Sequence, residues 1–444
     1  MKILMVGTGY VGLVTGACFA EIGHRVTCID TDWEKVERLN QGQIPIFEPG
    51  LEELVARNRA DNKISFIDNL DALDGGVPDF VFLAVGTPSL QATGQADLSY
   101  VLAAAEEAAQ KLSEMDGKDF TVFVTKSTVP VGTSLKVHEV VARHLSQKRF
   151  AVASNPEFLR EGAAIEDFMH PSRIVVGSDN EEARRMLEKL YRPLTRQGYP
   201  LVVTSTVATA ELIKYAANAF LATKITFINE LSHLCEKVDA RVDELSLGLG
   251  LDKRIGDKFL QPGPGYGGSC LPKDTRALSG TAADFGSPLE IVETVVRINE
   301  QHKQKMVEKI IKIAGGNLKN KKIGILGLAF KAHTDDVRES PALTIIPGLV
   351  KAGASVIAFD PQGTEQAATI LSKCEFANQA EQVFDEADLV VLITEWPQFN
   401  DLDWAALSAK MRCPTIIDLR NMLPYEKLRQ AGFTYHSIGG YGDQ

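Results

Sequence analysis

The chain opens on an apolar, strand-like run, Met1-Lys2-Ile3-Leu4-Met5-Val6, that leads straight into Gly7-Thr8-Gly9-Tyr10-Val11-Gly12. Nothing else in the sequence narrows the fold as much. Three glycines at G-x-G-x-x-G spacing, placed after a strand and opening a helix, fit a βαβ unit whose helix N terminus faces a pyrophosphate. Gly7 permits the tight turn, Gly9 lets backbone approach the phosphates, Tyr10 and Val11 are expected to contact the cofactor with them, and Gly12 lets the helix pack closely on the sheet. Asp30 closes the next strand, where a carboxylate accepts hydrogen bonds from both ribose hydroxyls and repels a 2′-phosphate. The pattern therefore calls for NAD rather than NADP. Lys35, in the first turn after Asp30, either reaches the adenosine ribose or is solvated.

Strand and helix patterns alternate through the N-terminal part. Ile3 to Val6, Arg25 to Asp30, Asp79 to Val85, Thr121 to Lys126, Ala151 to Ala153 and Arg173 to Val176 read as strands, and Val11 to Ile22 and Leu98 to Leu112 as helices. Such alternation predicts a parallel sheet covered on both faces. From Val207 to about Lys237 one long apolar-periodic helix follows, suited to connecting domains and to forming a dimer surface. After Ile310 the alternation restarts, with strands at Lys322 to Gly327, Ala354 to Asp360, Leu389 to Ile393 and Thr415 to Asp418. Gly324-Ile325-Leu326-Gly327-Leu328-Ala329-Phe330 lacks the full glycine spacing, so the same cofactor is not assigned to it. The expected architecture is α/β, with two Rossmann-like nucleotide-binding domains joined by a long central helix. Its expected boundaries are 1–200, 201–305 (helical, dimerising, carrying the catalytic Lys and Cys) and 306–444.

The chain has 444 residues and a formal net charge of −11, from 58 acidic and 47 basic side chains. That surface repels nucleic acid, so a phosphate-bearing ligand has to be held by local donors. Six scattered cysteines with no Cys-x-x-Cys pair fit neither a metal site nor a disulfide scaffold, which points to a reducing compartment and no metal. The N terminus lacks the signal-peptide pattern and no long uninterrupted apolar stretch occurs. The expectation is a cytosolic protein without membrane contact.

Cys270 lies within Pro262-Gly263-Pro264-Gly265-Tyr266-Gly267-Gly268-Ser269-Cys270-Leu271-Pro272-Lys273-Asp274. An enzyme that only interconverts alcohol and carbonyl has no need of a nucleophilic sulfur. One that carries an aldehyde on to an acid does, because a thiohemiacetal gives the second hydride transfer a tetrahedral carbon. Lys273 and Asp274 make a cationic and polar setting that favours thiolate; the alternative is a small buried filler. The other five cysteines are read as packing. Lys214 and Asn218, four apart, share a helix face. They either donate together to a developing alkoxide or are ordinary helix residues. Thr87 and Thr128 follow strands at their carboxyl ends, where open α/β sheets place ligands.

Five blocks together resemble the UDP-glucose 6-dehydrogenase family: Gly7 to Gly12, Asn155-Pro156-Glu157-Phe158-Leu159-Arg160-Glu161-Gly162, Glu211 to Asn218, Gly267 to Asp274, and Gly327 to Lys331 with Thr334 to Pro341. The resemblance implies a two-step, NAD-dependent oxidation of UDP-glucose at C6, with two NAD per turnover. It implies that Cys270 adds to the aldehyde and that a thioester is then hydrolysed. Lys214 and Asn218 would stabilise the alkoxide, Asp274 would support Lys214 and a water, Glu157 would act as hydrolytic base, and Thr128 would position the water. Which carboxylate handles which proton stays open. Sugar-nucleotide contacts are expected from Glu157, Phe158, Leu159, Arg160, Glu161, Lys214, Asn218, Phe259, Leu260, Gln261, Pro262, Gly263, Gly267 and Lys331. Arg420 would meet the uridine side. Arg254 would reach the substrate of a neighbouring subunit, implying a homodimer or larger homo-oligomer. Glu161, Lys273 and Arg338 match positions near NAD. The rival readings are oxidation of GDP-mannose or a UDP-N-acetylhexosamine, a catalytically silent NAD or sugar-nucleotide sensor, and a single hydride transfer that leaves Cys270 unexplained.

Overall fold

Fourteen strands form two sheets in a computed structural model that describes residues 1–88, 96–115 and 120–440. The chain packs as two units, Met1–Ala217 and Asn218–Gln444. The first holds β1 (Lys2–Val6), β2 (Arg25–Ile29), β3 (Ile64–Ile67), β4 (Phe80–Leu83), β5 (Thr121–Thr125), β6 (Phe150–Ser154), β7 (Ile174–Gly177) and β8 (Leu201–Thr204). Their order is β3-β2-β1-β4-β5-β6-β7-β8. Strands β4 to β7 are buried along their whole length, as expected where helices cover both faces and the strands are continuous apolar runs. One face packs Leu13, Phe19, Phe82 and Tyr191, the other Val101, Ala105, Phe123 and Val137.

The wholly parallel sheet read from the sequence needs one correction. Strand β7 meets β6 antiparallel, at Ser154 and Gly177, while every other pair in this sheet is parallel. The chain turns back after Ser154 instead of crossing over, and the side-chain amide of Asn155 ties the return by donating to Val175 O at 2.7 Å. Strands β3 and β8, missing from the sequence reading, are four-residue edge strands that are partly exposed.

The second unit contains β9 (Lys322–Leu326), β10 (Ser355–Phe359), β11 (Glu375–Phe376), β12 (Leu389–Leu392), β13 (Thr415–Asp418) and β14 (Thr434–His436), all parallel, in the order β11-β10-β9-β12-β13-β14. Its internal order, 3-2-1-4-5-6, is that of the first six strands of the other sheet and of the doubly wound dinucleotide fold. Helices Leu271–Asp284 and Glu290–Ile313 precede it. The expected long helix runs over Val207–Val238, 32 residues, and on it Phe220, Phe227 and Leu234, seven residues apart, are 65%, 52% and 52% exposed.

Candidate functional site

The glycines after β1 divide into two kinds. A Cβ on Gly7, whose φ is +99°, would lie 2.8 Å from Ala84 O, and one on Gly12 would lie 2.0 Å from Gly7 O. Both positions are closed by the protein itself. A Cβ on Gly9 would meet nothing within 4 Å. That open space lies ahead of helix Tyr10–Glu21, whose first N–H groups have no side-chain cap, and such a cradle suits a pyrophosphate.

Asp30 accepts from Thr8 N at 2.9 Å, from Thr8 Oγ1 at 2.7 Å and from Asp32 N at 3.2 Å, and pairs with Lys35 Nζ at 2.8 Å. Burial acts to raise its carboxyl, but Lys35 and Thr8 outweigh that and hold it below the ordinary range. Lys35 is thus Asp30's partner rather than a solvated cation. Thr87 Oγ1 donates to Thr128 O at 3.1 Å, joining the ends of β4 and β5. The glycine cradle and the ribose-facing acid together fit an NAD-type dinucleotide.

Glu48, which no motif announced, accepts from Tyr10 Oη, from Gly162 N at 2.8 Å and from Ala164 N at 2.7 Å. It fastens the first turn of the cofactor helix to the segment holding Glu161, a half-buried residue.

In the same unit Glu157 and Lys214 form an ion pair at 2.9 Å, with side chains only 5% and 4% exposed. Leu159 N donates to the other carboxylate oxygen at 2.7 Å, and Thr128 Oγ1 approaches at 3.4 Å. Burial alone would raise the Glu157 carboxyl. The Lys214 ammonium, the Leu159 amide and the charge of Lys126 reverse this and keep it below its usual value. Lys126, at the end of β5, is itself buried and is pushed down from 10.5 to about 8 by desolvation. Phe158 stacks under the Arg173 guanidinium, 3.8 Å from the ring centroid. Arg160 instead turns to Asp167 at 2.6 Å and stays largely exposed. One turn before Lys214, buried Glu211 accepts from Gly132 N at 2.8 Å and from Ser134 N and Oγ at 3.1 and 2.6 Å. Through these bonds the long helix grips the start of helix Thr133–Val141.

In the second unit the glycine-rich loop before Cys270 ends in a helix start. Cys270 is the N-cap of Leu271–Asp284, and its carbonyl accepts from Asp274 N at 2.8 Å. Its Sγ is half-buried and 3.6 Å from Ser269 Oγ, at the positive end of the helix, where anionic sulfur is favoured. Asp274 is fully buried and accepts from Asn218 Nδ2 at 2.6 Å and from Lys273 Nζ at 2.8 Å.

Helices on either side clamp the loop. Gly263 N donates to Asn229 Oδ1 at 2.9 Å, and Gly263 O accepts from His302 Nε2 at 2.7 Å. That bond leaves His302 Nδ1 to accept from His233 Nε2 at 2.9 Å, and burial pushes His302 down to about 4. Asn299 bonds both N and O of Tyr266, at 2.9 and 3.1 Å. A Cβ on Gly267 would lie 2.4 Å from Glu339 O, and one on Gly268 2.7 Å from the Phe330 ring, so these two glycines serve close packing.

Leu260 is buried, with its carbonyl accepting from Ser246 Oγ at 2.6 Å, while Phe259, at φ +63°, and Gln261 are exposed and Pro262 is buried. Arg420 is no loose surface charge. It donates to Ile393 O at 2.7 Å and Phe330 O at 3.0 Å, pairs with Glu395, and lies 3.1 Å from where a Gly263 Cβ would be. Lys331, half-buried, has Nζ 5.5 Å from the Phe330 ring centroid. Arg338 pairs with Asp336, and Arg254 with Asp252 on an exposed turn.

The cysteine reading needs correction. Cys18, Cys28 and Cys235 are packed inside and Cys374 packs half-buried against the core of the second unit, but Cys413 is exposed ahead of β13.

Residues 1–195 match the NAD binding domain of the UDP-glucose/GDP-mannose dehydrogenase family, residues 208–301 its central domain and residues 324–425 its UDP binding domain. A UDP-glucose 6-dehydrogenase of Rhizobium meliloti (strain 1021) is 51% identical over 441 residues, 99% of each chain. One from Bacillus subtilis (strain 168) is 43% identical over 440 residues, 99% of this chain and 93% of the other. Among solved structures, a UDP-glucose dehydrogenase from the hyperthermophilic archaeon Pyrobaculum islandicum gives a TM-score of 0.88 at 37% identity, over 99% of this chain and 97% of that one. A UDP-D-ManNAc dehydrogenase from Pyrococcus horikoshii gives 0.84 at 27%, over 100% of both.

Proposed function

We propose that this chain, which belongs to the UDP-glucose/GDP-mannose dehydrogenase family, oxidises the C6 hydroxymethyl group of UDP-glucose to a carboxylate with NAD as oxidant. The observation that carries the reading is a half-buried thiol at a helix N terminus, one turn from buried Asp274, which is bonded to buried Asn218 and to Lys273, in a protein 51% identical along its length to a UDP-glucose 6-dehydrogenase. A dinucleotide held at the Gly7 to Gly12 turn would supply the hydride acceptor for each of two half-reactions.

The residues take the following parts. Lys214 and Asn218 donate to the substrate oxygen as it gains negative charge. The Cys270 thiolate adds to the aldehyde carbon, forming a C–S bond while the oxygen takes up a proton. Loss of the second hydride and that proton leaves a thioester. Glu157, held ionised by Lys214, takes a proton from the attacking water, and the C–S bond breaks to release the acid and restore the thiolate. Asp274 holds Asn218 and Lys273 in place, and Thr128 orients the water. The loop Phe259 to Gly263, Gly267, Lys331 and Arg420 hold the sugar nucleotide, and Glu161, Lys273 and Arg338 attend the NAD.

The same reading gives three domains with boundaries near residues 200 and 305, and a homodimer. The exposed row Phe220, Phe227 and Leu234 supplies an apolar face for a second copy, and Arg254 serves the partner's substrate. No described helix is long and apolar enough to cross a membrane, and cytosolic residence accords with the unpaired cysteines.

Purified protein given UDP-glucose and NAD is expected to form two NADH per sugar consumed, and Cys270→Ala to form no acid. Cys270→Ser should stall in the second half, because an alkoxide forms less readily and an ester clears more slowly. A stoichiometry of one, or undiminished acid production by Cys270→Ala, overturns the mechanism. A panel of UDP and GDP sugars in the same absorbance assay decides the substrate, and gel filtration of Phe227→Glu tests the dimer.

A further inference from the structure

Lys126 follows β5 directly with its side chain almost wholly buried, yet among the described residues no carboxylate forms an ion pair with it. Its ammonium donates to a neutral acceptor, Asn155 Oδ1, at 3.2 Å. The orientation of that acceptor is fixed. Asn155 Nδ2 is committed to Val175 O at 2.7 Å, so Oδ1 faces Lys126 and the Tyr191 hydroxyl, which also donates to it. A cavity of about 40 Å³ beside Lys126 is lined by Asn155, Phe158, Asp167, Arg173 and Tyr191. Of these, Asp167 is taken by Arg160, and Arg173 lies over Phe158. The charges that act on Lys126 are the Glu157 carboxylate, the Lys214 ammonium and the Cys18 thiol on helix Tyr10–Glu21. A buried ammonium without a dedicated counter-ion works against folding, so its presence calls for another reason.

We propose that Lys126 is a positioning residue for Glu157, a fixed second ammonium that keeps this carboxylate unprotonated while Lys214 is engaged with substrate. The inference rests on the assignment of Glu157 as hydrolytic base. Two ammonium groups bear on one carboxylate, and they differ in what else they do. Lys214 pairs directly with Glu157 and has the substrate oxygen as its second task, so its hold weakens when that oxygen draws its hydrogen bonds. A carboxylate only 5% exposed and left without a cation takes up a proton and is no longer a base. Lys126, anchored on Asn155, does not leave.

The test compares Lys126→Met, which keeps the length and removes the charge, with Lys126→Arg. Carboxyl ¹³C NMR of glutamate-labelled protein, with Glu157 assigned by Glu157→Gln, reads the base without turnover. Its midpoint is expected to rise by about one pH unit or more in Lys126→Met, equivalent to a tenfold change in proton affinity, and to stay near wild type in Lys126→Arg. In turnover, Lys126→Met should release the first NADH at the wild-type rate and accumulate the thioester. The acid limb of its kcat profile should move up by the same amount, with KM for UDP-glucose within about twofold. Its melting temperature should hold or rise, because a desolvated charge is gone. An unmoved Glu157 titration overturns the proposal, as does an activity loss that tracks a fall in melting temperature with the acid limb in place. If the wild-type protein forms no acid from UDP-glucose, the function assigned above fails, while the NMR titration still decides the part played by Lys126.

Discussion

Asp30 and Asp360 each follow the second strand of a sheet ordered 3-2-1-4-5-6, and their surroundings differ in every respect that matters to a nucleotide. Asp30 keeps an exposed edge, and its strongest partner is the Lys35 ammonium. Asp360 is 2% exposed and saturated: Leu328 N, Ala329 N and Trp396 Nε1 donate to one oxygen at 2.7, 2.9 and 3.0 Å, and Gln362 N and Gly363 N to the other at 2.9 and 2.7 Å. After Gly9 a helix begins at once, whereas after Gly327 none begins before Ala342. The first sheet therefore leaves a partly exposed acid and an uncapped helix end open to a dinucleotide. The second spends its acid on holding its own loop. One topology supports both because a ligand site is a matter of which donors remain unspent.

Asp360→Ala is the severest way to break the comparison. It leaves five donors without an acceptor, four of them buried, so the second unit should lose about 4 kcal/mol or more. Urea unfolding followed through the fluorescence of Trp396 and Trp404 measures this, and NAD affinity should be unchanged. His302 and Lys126 then contrast the units by pH. His302 falls from 6.5 to about 4 on folding, so below pH 6.5 the unfolded chain binds a proton that the folded one refuses. Stability drains away between pH 6.5 and 4 by about 3 kcal/mol, and His302→Gln should flatten that slope. Lys126 falls from 10.5 to about 8. Its burial costs about 3 kcal/mol below pH 8, and that cost fades between pH 8 and 10.5, a slope that Lys126→Met should abolish.

Asp30→Ala should cost less stability than Asp360→Ala, since it strands the two Thr8 donors rather than five, yet weaken NAD about tenfold or more, while Lys35, released from its pair, improves the relative binding of NADP. Titration with both dinucleotides reads the ratio. Smallest in stability is Gly9→Ala: its Cβ enters open space, so the melting curve should barely move while NAD binding drops.

The long, fully buried strands and the glycine fingerprint could be read from sequence because their patterns are continuous. Strands β3, β8, β11 and β14 could not, since they are edge strands of two to four residues, too short to show a period. The antiparallel entry of β7 depends on Asn155 bonding Val175, a contact that no local pattern carries. At the site, Cys270, Lys214, Glu157 and Asp274 were readable because each stands in a motif. Lys126, Glu48, Asn229, Asn299 and His302 were not, because a polar residue looks like a surface residue until its burial is known.

Glu48 has a kinetic consequence. By binding Tyr10 Oη together with the amides of Gly162 and Ala164, it couples the first turn of the cofactor helix to the stretch that follows Glu157. A dinucleotide that steadies that turn steadies the stretch as well, so the two ligands should arrive in sequence, NAD leading. Enzyme pre-loaded with sugar alone should then show a lag in rapid mixing, and Glu48→Gln should shorten it.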